Sequence, residues 1–477
     1  MSKHSKKEIP MWAKTGHAKP VTRRDFLSAG IIPFAASIAV PNWVSLILGS
    51  PANAQTAVTC DAANSTALIP FVTVNLSGGA AMSSNFLPMN AAGQPIASYS
   101  KMGLGNNQVP IEREFGNVPF AGLNNGALLS KFLEGVRSSA TAAALANTAF
   151  VGIPCDSAND TSSNKFDISG AVTKAGLIGS QLPNLGRSNS RTGINQAAGI
   201  VAPPAPLVVN SYSALLTSIG YSATLNTALN TAQKNSLAKL VSNLNSSQTA
   251  KLNAVQGAEG VKKVLDCAGI KNVDVVQKGA GVVDPRQNAG VATVWNINAN
   301  TAAGSRDLIF GAMVYNSLLG QAGAAGLELG GYDYHDGTRT NGDAKDRDAG
   351  VVIGRILETA KVLGKPVFVY VVSDGSVYSD ESDDRQAGWQ GDRGSNGVSY
   401  MLYYSPAGRP ATSGFQIGAF NDNQAADTTF ITGGNPELVA AAVFANWCQA
   451  NKRMDLFDRV ANRLFNATQL AQVVKVA

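Results

Sequence analysis

Histidine, cysteine and charge are all scarce in this sequence. Three histidines occur in 477 residues, and His4 and His17 stand at the extreme N-terminus. His335 is therefore the one imidazole in the body of the chain, which excludes a histidine-rich metal centre. The four cysteines, Cys60, Cys155, Cys267 and Cys448, show no C-x-x-C or other metal-ligand spacing. An oxidising compartment would permit up to two disulfides among them. Cys448, however, shares the apolar face of NPELVAAAVFANWCQA with Leu438, Ala441 and Ala445, so a buried free thiol is expected there. Charged residues make up 15 %, against roughly 25 % in ordinary soluble domains. Asn, Ser, Thr, Ala and Gly fill the gap, a composition that suits an exported protein. Neither a Rossmann glycine fingerprint nor a cysteine cluster supports redox chemistry. Hydrophobic residues at 45 % suffice for a sizeable core, and the length allows one large domain or two ordinary ones.

The first 54 residues read differently from the rest. VTRRDFLSAG carries Thr22, Arg23, Arg24, Phe26 and Leu27 in the order Thr-Arg-Arg-x-Phe-Leu. The apolar stretch AGIIPFAASIAVPNWVSLILG follows, and PANAQ then offers an Ala-x-Ala pattern at Ala52–Ala54. Basic region, apolar region and small-residue site, in that order, make a signal peptide. It resembles a twin-arginine export signal, which implies the translocation machinery as a partner through Arg23 and Arg24. The apolar stretch is about long enough to span a bilayer, but Pro33 and Pro41 interrupt it. Cleavage after residue 54 is expected, with no membrane attachment afterwards. That segment holds seven Lys/Arg and two acids, a net of +5 out of +6 for the whole chain. The mature part is left near neutral, with no nucleic-acid footprint. The expected location is the periplasm or beyond.

Residues 55–477 read as a single α/β domain. LIPFVTVNLSGG (68–79) and TAFVGIP (148–154) read as buried strands, and 156–205 as mainly loop. In the stretch 210–268, apolar residues at Leu225, Leu229, Ala232, Leu240 and Leu244 predict a helical insertion with a polar outer face. Strand and helix then alternate. RDLIFGAMVYNSLLG reads as a helix and AGLELGG as a strand into a turn. AGVVIGRILETAKVLG reads as a helix ended by Gly364, and KPVFVYVV as a strand covered on both faces. Helices close the chain, the first capped by Asn435 with Pro436 at its first position. The pattern predicts a mostly parallel sheet with helices on both faces.

Ligands of such sheets bind outside the carboxyl ends of the strands. LELGGYDYH delivers Asp333 and His335 there, VFVYVVSDGS delivers Asp374, and GDRGSNG brings Asp392 and Arg393. Several carboxylates and an imidazole converging on a divalent ion could generate a nucleophile or clamp developing charge. The acidic runs NGDAKDRD and SDESDDRQ read as solvated loops, with calcium binding as the alternative.

LELGGYDYH resembles the Gly-Gly-Trp-Asp-Thr-His motif of the domain-of-unknown-function 1501 family, a twin-arginine-exported branch of the alkaline phosphatase/sulfatase superfamily. VVSDGS is similar to its strand ending in Ser-Glu-Phe-Gly, and GDRGSNG to its Gly-Thr-Asp-His-Gly. VNLSGGAAMSSNFLP resembles its opening Leu-x-Gly-Gly segment, and VGIPCDSANDTSSNKFDISGA its Ser-His-Phe segment. The five segments keep their order over residues 68–400. The resemblance implies an alkaline-phosphatase-like fold and a metal site at Asp333, His335, Asp374 and Asp392. It places the superfamily's nucleophile at Ser163, while Ser157 in CDSAND matches the Asp-Ser-Ala of alkaline phosphatases.

The departures from the family pattern fall on the site. Ala81 or Ser84 stands where the family has an acid, and Asn164 or Lys165 replaces a histidine. Asp374 replaces Glu, and Arg393 stands for the histidine after Asp392. A dinuclear zinc site wants more nitrogen ligands than remain. The remaining donors suit one calcium, magnesium or manganese ion, or zinc with fewer nitrogens, or no ion at all with Arg393 supplying the cation. The favoured expectation is a binding or structural role on an inherited scaffold with a degenerate metal site. The alternative is a metal-dependent hydrolase of phosphate or sulfate esters.

Overall fold

The computed structural model describes residues 68–477 except 107, 109, 123–128, 157–165, 180, 183, 187–200, 202–205, 253–268, 271 and 380–387. Arg23, Arg24, the export signal, Cys60, Cys267, Ser157, Ser163 and most of the acidic run SDESDDRQ therefore lie outside the described residues.

The sheet has seven strands: β1 (Phe71–Leu76), β2 (Thr148–Pro154), β3 (Leu185–Gly186), β4 (Leu207–Val208), β5 (Ala325–Leu329), β6 (Val367–Ser373) and β7 (Val398–Tyr404). Their order is β2-β7-β6-β1-β5-β3-β4. β1 pairs parallel with β5 and β6, and β3 parallel with β4 and β5. β7 alone runs against its neighbours β6 and β2. The chain is thus α/β with a mostly parallel mixed sheet, as the strand–helix alternation predicts.

β1 and β6 sit in the middle, and all their residues are buried. Alternation sends Val72, Val74, Leu76, Val369 and Val371 into one core, and Phe71, Phe368, Tyr370 and Val372 into the other. Labelled in chain order, the helices that matter are α1 (Lys131–Ser139), α2 (Thr231–Leu252), α3 (Arg306–Leu318), α4 (Arg339–Leu363), α5 (Pro436–Ala450) and α6 (Met454–Val460). α1, α3 and α4 cover the first face; α5 and α6 cover the second. α5 starts where expected, with Asn435 accepting the Glu437 N–H and Pro436 at its first turn. Its Trp447 is fully buried and donates to the Ile69 carbonyl at 2.9 Å, fixing the entry to β1. Cys448 is a buried free thiol, as expected, and so is Cys155.

Two expectations need correction. NGDAKDRD is not a loop: α4 begins at Arg339 and runs through it. Arg339 pairs with Asp343 one turn on at 3.1 Å, and Asp346 is buried, so the run has a core-facing side that its charge conceals. The expected helical stretch does form Tyr212–Ser218, Ala223–Ala228 and α2, but the buried stripe differs. Leu240 and Leu244 are exposed, while Ala238 and Thr249 are buried and Leu237 and Val241 half-buried. The packed face lies about one residue round the helix from the expected one. Among the described residues no helix is long and apolar enough to cross a membrane.

Candidate functional site

Three strand ends are stitched together at one point. Beyond β1, Ser77 donates its N–H to Leu329 O at 2.9 Å and accepts the Tyr332 N–H at 3.0 Å, prolonging the β1–β5 pairing. The Ser77 hydroxyl donates to the Glu328 carboxylate. The chain then turns through Gly78 (φ +116°) and Gly79 (φ +97°), a left-handed conformation that glycine adopts without penalty. The Gly78 N–H donates to Asp374 Oδ1 at 2.8 Å. The Ala80 N–H donates to Ser373 Oγ at 2.8 Å, and that hydroxyl donates to Leu76 O at 2.7 Å. The Ala81 N–H donates to the Tyr334 hydroxyl at 2.7 Å. Side chains at the ends of β5 and β6 thereby satisfy the amides that the β1 turn exposes.

Within this turn, Asp333 Oδ1 lies 2.7 Å from His335 Nδ1, with both side chains partly exposed. A carboxylate on Nδ1 orients the ring and directs ligand contacts to Nε2. Asp374, by contrast, is 7 % exposed and bound to the Gly78 amide. Asp392 closes the short strand Trp389–Asp392, paired with Val377, and its side chain is outside the described residues. Arg393 does not take up the role of a substitute cation for Asp333 or Asp374. Its guanidinium donates to Ser395 Oγ at 2.8 Å and Asn423 O at 3.2 Å.

Asp333, His335 and Asp374 thus share one sheet end, but among the described residues no three His, Cys, Asp or Glu side chains form a group that could hold a metal ion. The described donors do not fit a metal cage. At the positions where the sequence resemblance expects an acid, Ala81 is buried, and Ser84 turns its hydroxyl to Ala81 O at 2.7 Å. A surface cavity of about 460 Å³ lies elsewhere, lined by Asp427, Phe430, Gln469 and Gln472 among others, and no strand-end residue borders it.

The sequence reading missed a buried layer beneath the turn. Tyr334, between Asp333 and His335, is buried and donates its hydroxyl to Asp346 Oδ1 on α4 at 2.9 Å. Burial, reinforced by the Asp343 charge, pushes the Asp346 carboxyl up to about 8, against the hydrogen bond from Tyr334 and the charge of Arg339. Trp389 packs edge-on to Tyr334, with ring centroids 6.3 Å apart, and Arg339 stacks over it at 4.8 Å. The signal for Asp346 was its spacing from Gly342 and Ala349, which puts all three on one helical face.

Comparisons with protein-family models, with curated proteins and with solved structures return no match.

Proposed function

We propose that this is a twin-arginine-exported protein with an alkaline-phosphatase-like scaffold, acting as a binding or structural protein in the periplasm or at the cell surface. The observation that carries the reading is the Asp374–Gly78 bond. The strand-end carboxylate that a metal would need is engaged by the protein's own backbone, closing the turn after β1. A carboxylate used in this way stabilises a loop: Oδ1 accepts from the half-buried Gly78 amide, and turning the side chain wholly onto an ion would leave that amide without its acceptor. The sequence order of the five segments and the mostly parallel sheet are consistent with the inherited scaffold. Fold resemblance does not restore an activity, because function belongs to the site.

A second reading, a metal-dependent hydrolase of phosphate or sulfate esters, draws on the Asp333–His335 pair. A carboxylate on Nδ1 is the usual support for a metal-binding or proton-transferring imidazole. Elemental analysis of the mature protein purified from the periplasm separates the two readings, with the Asp333→Ala/His335→Ala double variant alongside. The binding or structural reading expects no stoichiometric metal in either protein and unchanged folding in the variant. Stoichiometric metal that disappears in the variant would overturn it in favour of the hydrolase, and phosphate- and sulfate-ester assays would follow.

A further inference from the structure

We propose that Tyr334 and Asp346 form a proton-linked anchor for the Asp333–His335 turn, so that gain or loss of one proton at Asp346 repositions the two side chains that flank Tyr334. The connection is a single buried relay. Asp346 on α4 meets the Tyr334 hydroxyl at 2.9 Å, and the same hydroxyl accepts the Ala81 N–H at 2.7 Å. Asp346 is 3 % exposed. The helix, the β5 turn and the β1 turn therefore meet at one phenol oxygen.

The two protonation states ask different things of that oxygen. An ionised Asp346 only accepts, so the Tyr334 O–H must point at it. A protonated Asp346 carries its own O–H and needs no counter-charge. Burial makes the protonated state the resting one up to mildly alkaline pH. When the proton leaves, a charge remains in the interior with Tyr334 as its hydrogen-bond donor, and further donors then become favourable. A buried donor stands by. Trp389 Nε1 has no hydrogen-bond partner among the described residues and packs on Gly342, one helical turn before Asp346. Drawing the indole toward Asp346 displaces the Tyr334 ring that rests on it, and Asp333 and His335 move with Tyr334.

The charged and titratable neighbours do not supply the missing counter-charge. On α4 itself, Arg339 and Asp343 act on Asp346 with opposite sign. The β5 turn contributes Tyr332 and Tyr334, and β7 contributes Tyr400, all held neutral by burial. On α1, which packs along α4, Lys131 pairs with Glu134, and Arg137 pairs with Glu112 and Glu114. Beyond α4, Arg306 is engaged by Asp348.

Tyr334 and Asp346 are thus positioning residues, and the anchor is independent of whichever ligand the turn meets. His335 is a natural reporter, because the other two histidines lie within the first 17 residues. The test is a pH titration of the mature, histidine-labelled protein by NMR, with chelator present. The His335 ring signal is expected to show an inflection near pH 8 that follows the Asp346 proton. Asp346→Asn should abolish that inflection. Tyr334→Phe should abolish it too, while the Asp346 carboxyl, followed by carbon NMR, continues to titrate. A wild-type His335 signal without the inflection near pH 8 overturns the proposal, as does an inflection there that persists in either variant.

Discussion

Gly78 lies against the backbone of Asp333 so closely that a Cβ on the glycine would stand 2.6 Å from the Asp333 nitrogen and 2.8 Å from its Cβ. The turn after β1 and the turn after β5 therefore have one joint fit, and the Asp333–His335 pair is placed by it.

Replacing Gly78 should be costly. Gly78→Ala meets both a left-handed backbone (φ +116°) and the clash with Asp333. The conformation alone costs about 1–3 kcal/mol, and overpacking adds roughly as much. Denaturant unfolding should show a loss of at least ~2 kcal/mol, and the His335 NMR signal should shift in the fraction that still folds. Unchanged stability would mean that the two turns are not in contact.

The sheet was legible because its signals are strong and local. KPVFVYVV is apolar on both faces, TAFVGIP and LIPFVTVNL likewise, and each stretch matches its strand to within a few residues. Asn435, Pro436 and Gly364 marked helix ends by chemistry that does not depend on the rest of the fold. The N-terminal turns of α4 were not legible. Their acidic residues read as a solvated loop, while Asp346 is buried against Tyr334, a residue 12 positions away. The exposed stripe Leu240/Leu244 was misread for a related reason: α2 rests on the domain by a narrow strip, and periodicity gives a face without saying which edge is covered. At the site, the sequence placed Asp333, His335 and Asp374 at one sheet end. It did not reveal that Asp374 serves the Gly78 amide, a bond between residues 296 apart.

Gly342 should resist alanine even though it lies in a helix. Alanine normally gains about 1 kcal/mol over glycine in a helix interior. Here a Cβ would lie 2.2 Å from Trp389 Nε1 and 2.9 Å from the Tyr334 ring, both buried. Overpacking of about 1–3 kcal/mol should outweigh the gain. Gly342→Ala should lower the melting temperature and shift the Trp389 indole N–H resonance. A melting temperature raised by the substitution would contradict the packing described.

The two described thiols should be inert in the native protein. Cys155 is pushed up to about 12, chiefly by burial with some help from the Asp156 charge, and Cys448 is raised further by burial. Thiolate is the reactive form, and both side chains are shielded. Iodoacetamide at pH 8 should leave both cysteines unmodified by peptide mapping until denaturant is added. Native labelling of Cys448 would mean that α5 does not pack as described.

Asp346 should also leave a signature in global stability. Its folded-state pKa, about 8, stands above the ordinary carboxylate value of 3.8. Between those values the folded protein binds the proton and the unfolded chain does not. Linkage then makes this group's contribution fall as pH rises from about 4 to about 8, by up to ~1.4 kcal/mol per pH unit, and level off above. The sign is opposite to that of a salt-bridged carboxylate, whose contribution grows with pH. Asn at this position keeps a neutral group of the same shape, so the stability difference between Asp346→Asn and wild type should widen in favour of the variant from pH 5 to pH 8. Urea unfolding of both proteins across that range measures the difference directly. A flat difference would mean that Asp346 is already ionised in the folded protein.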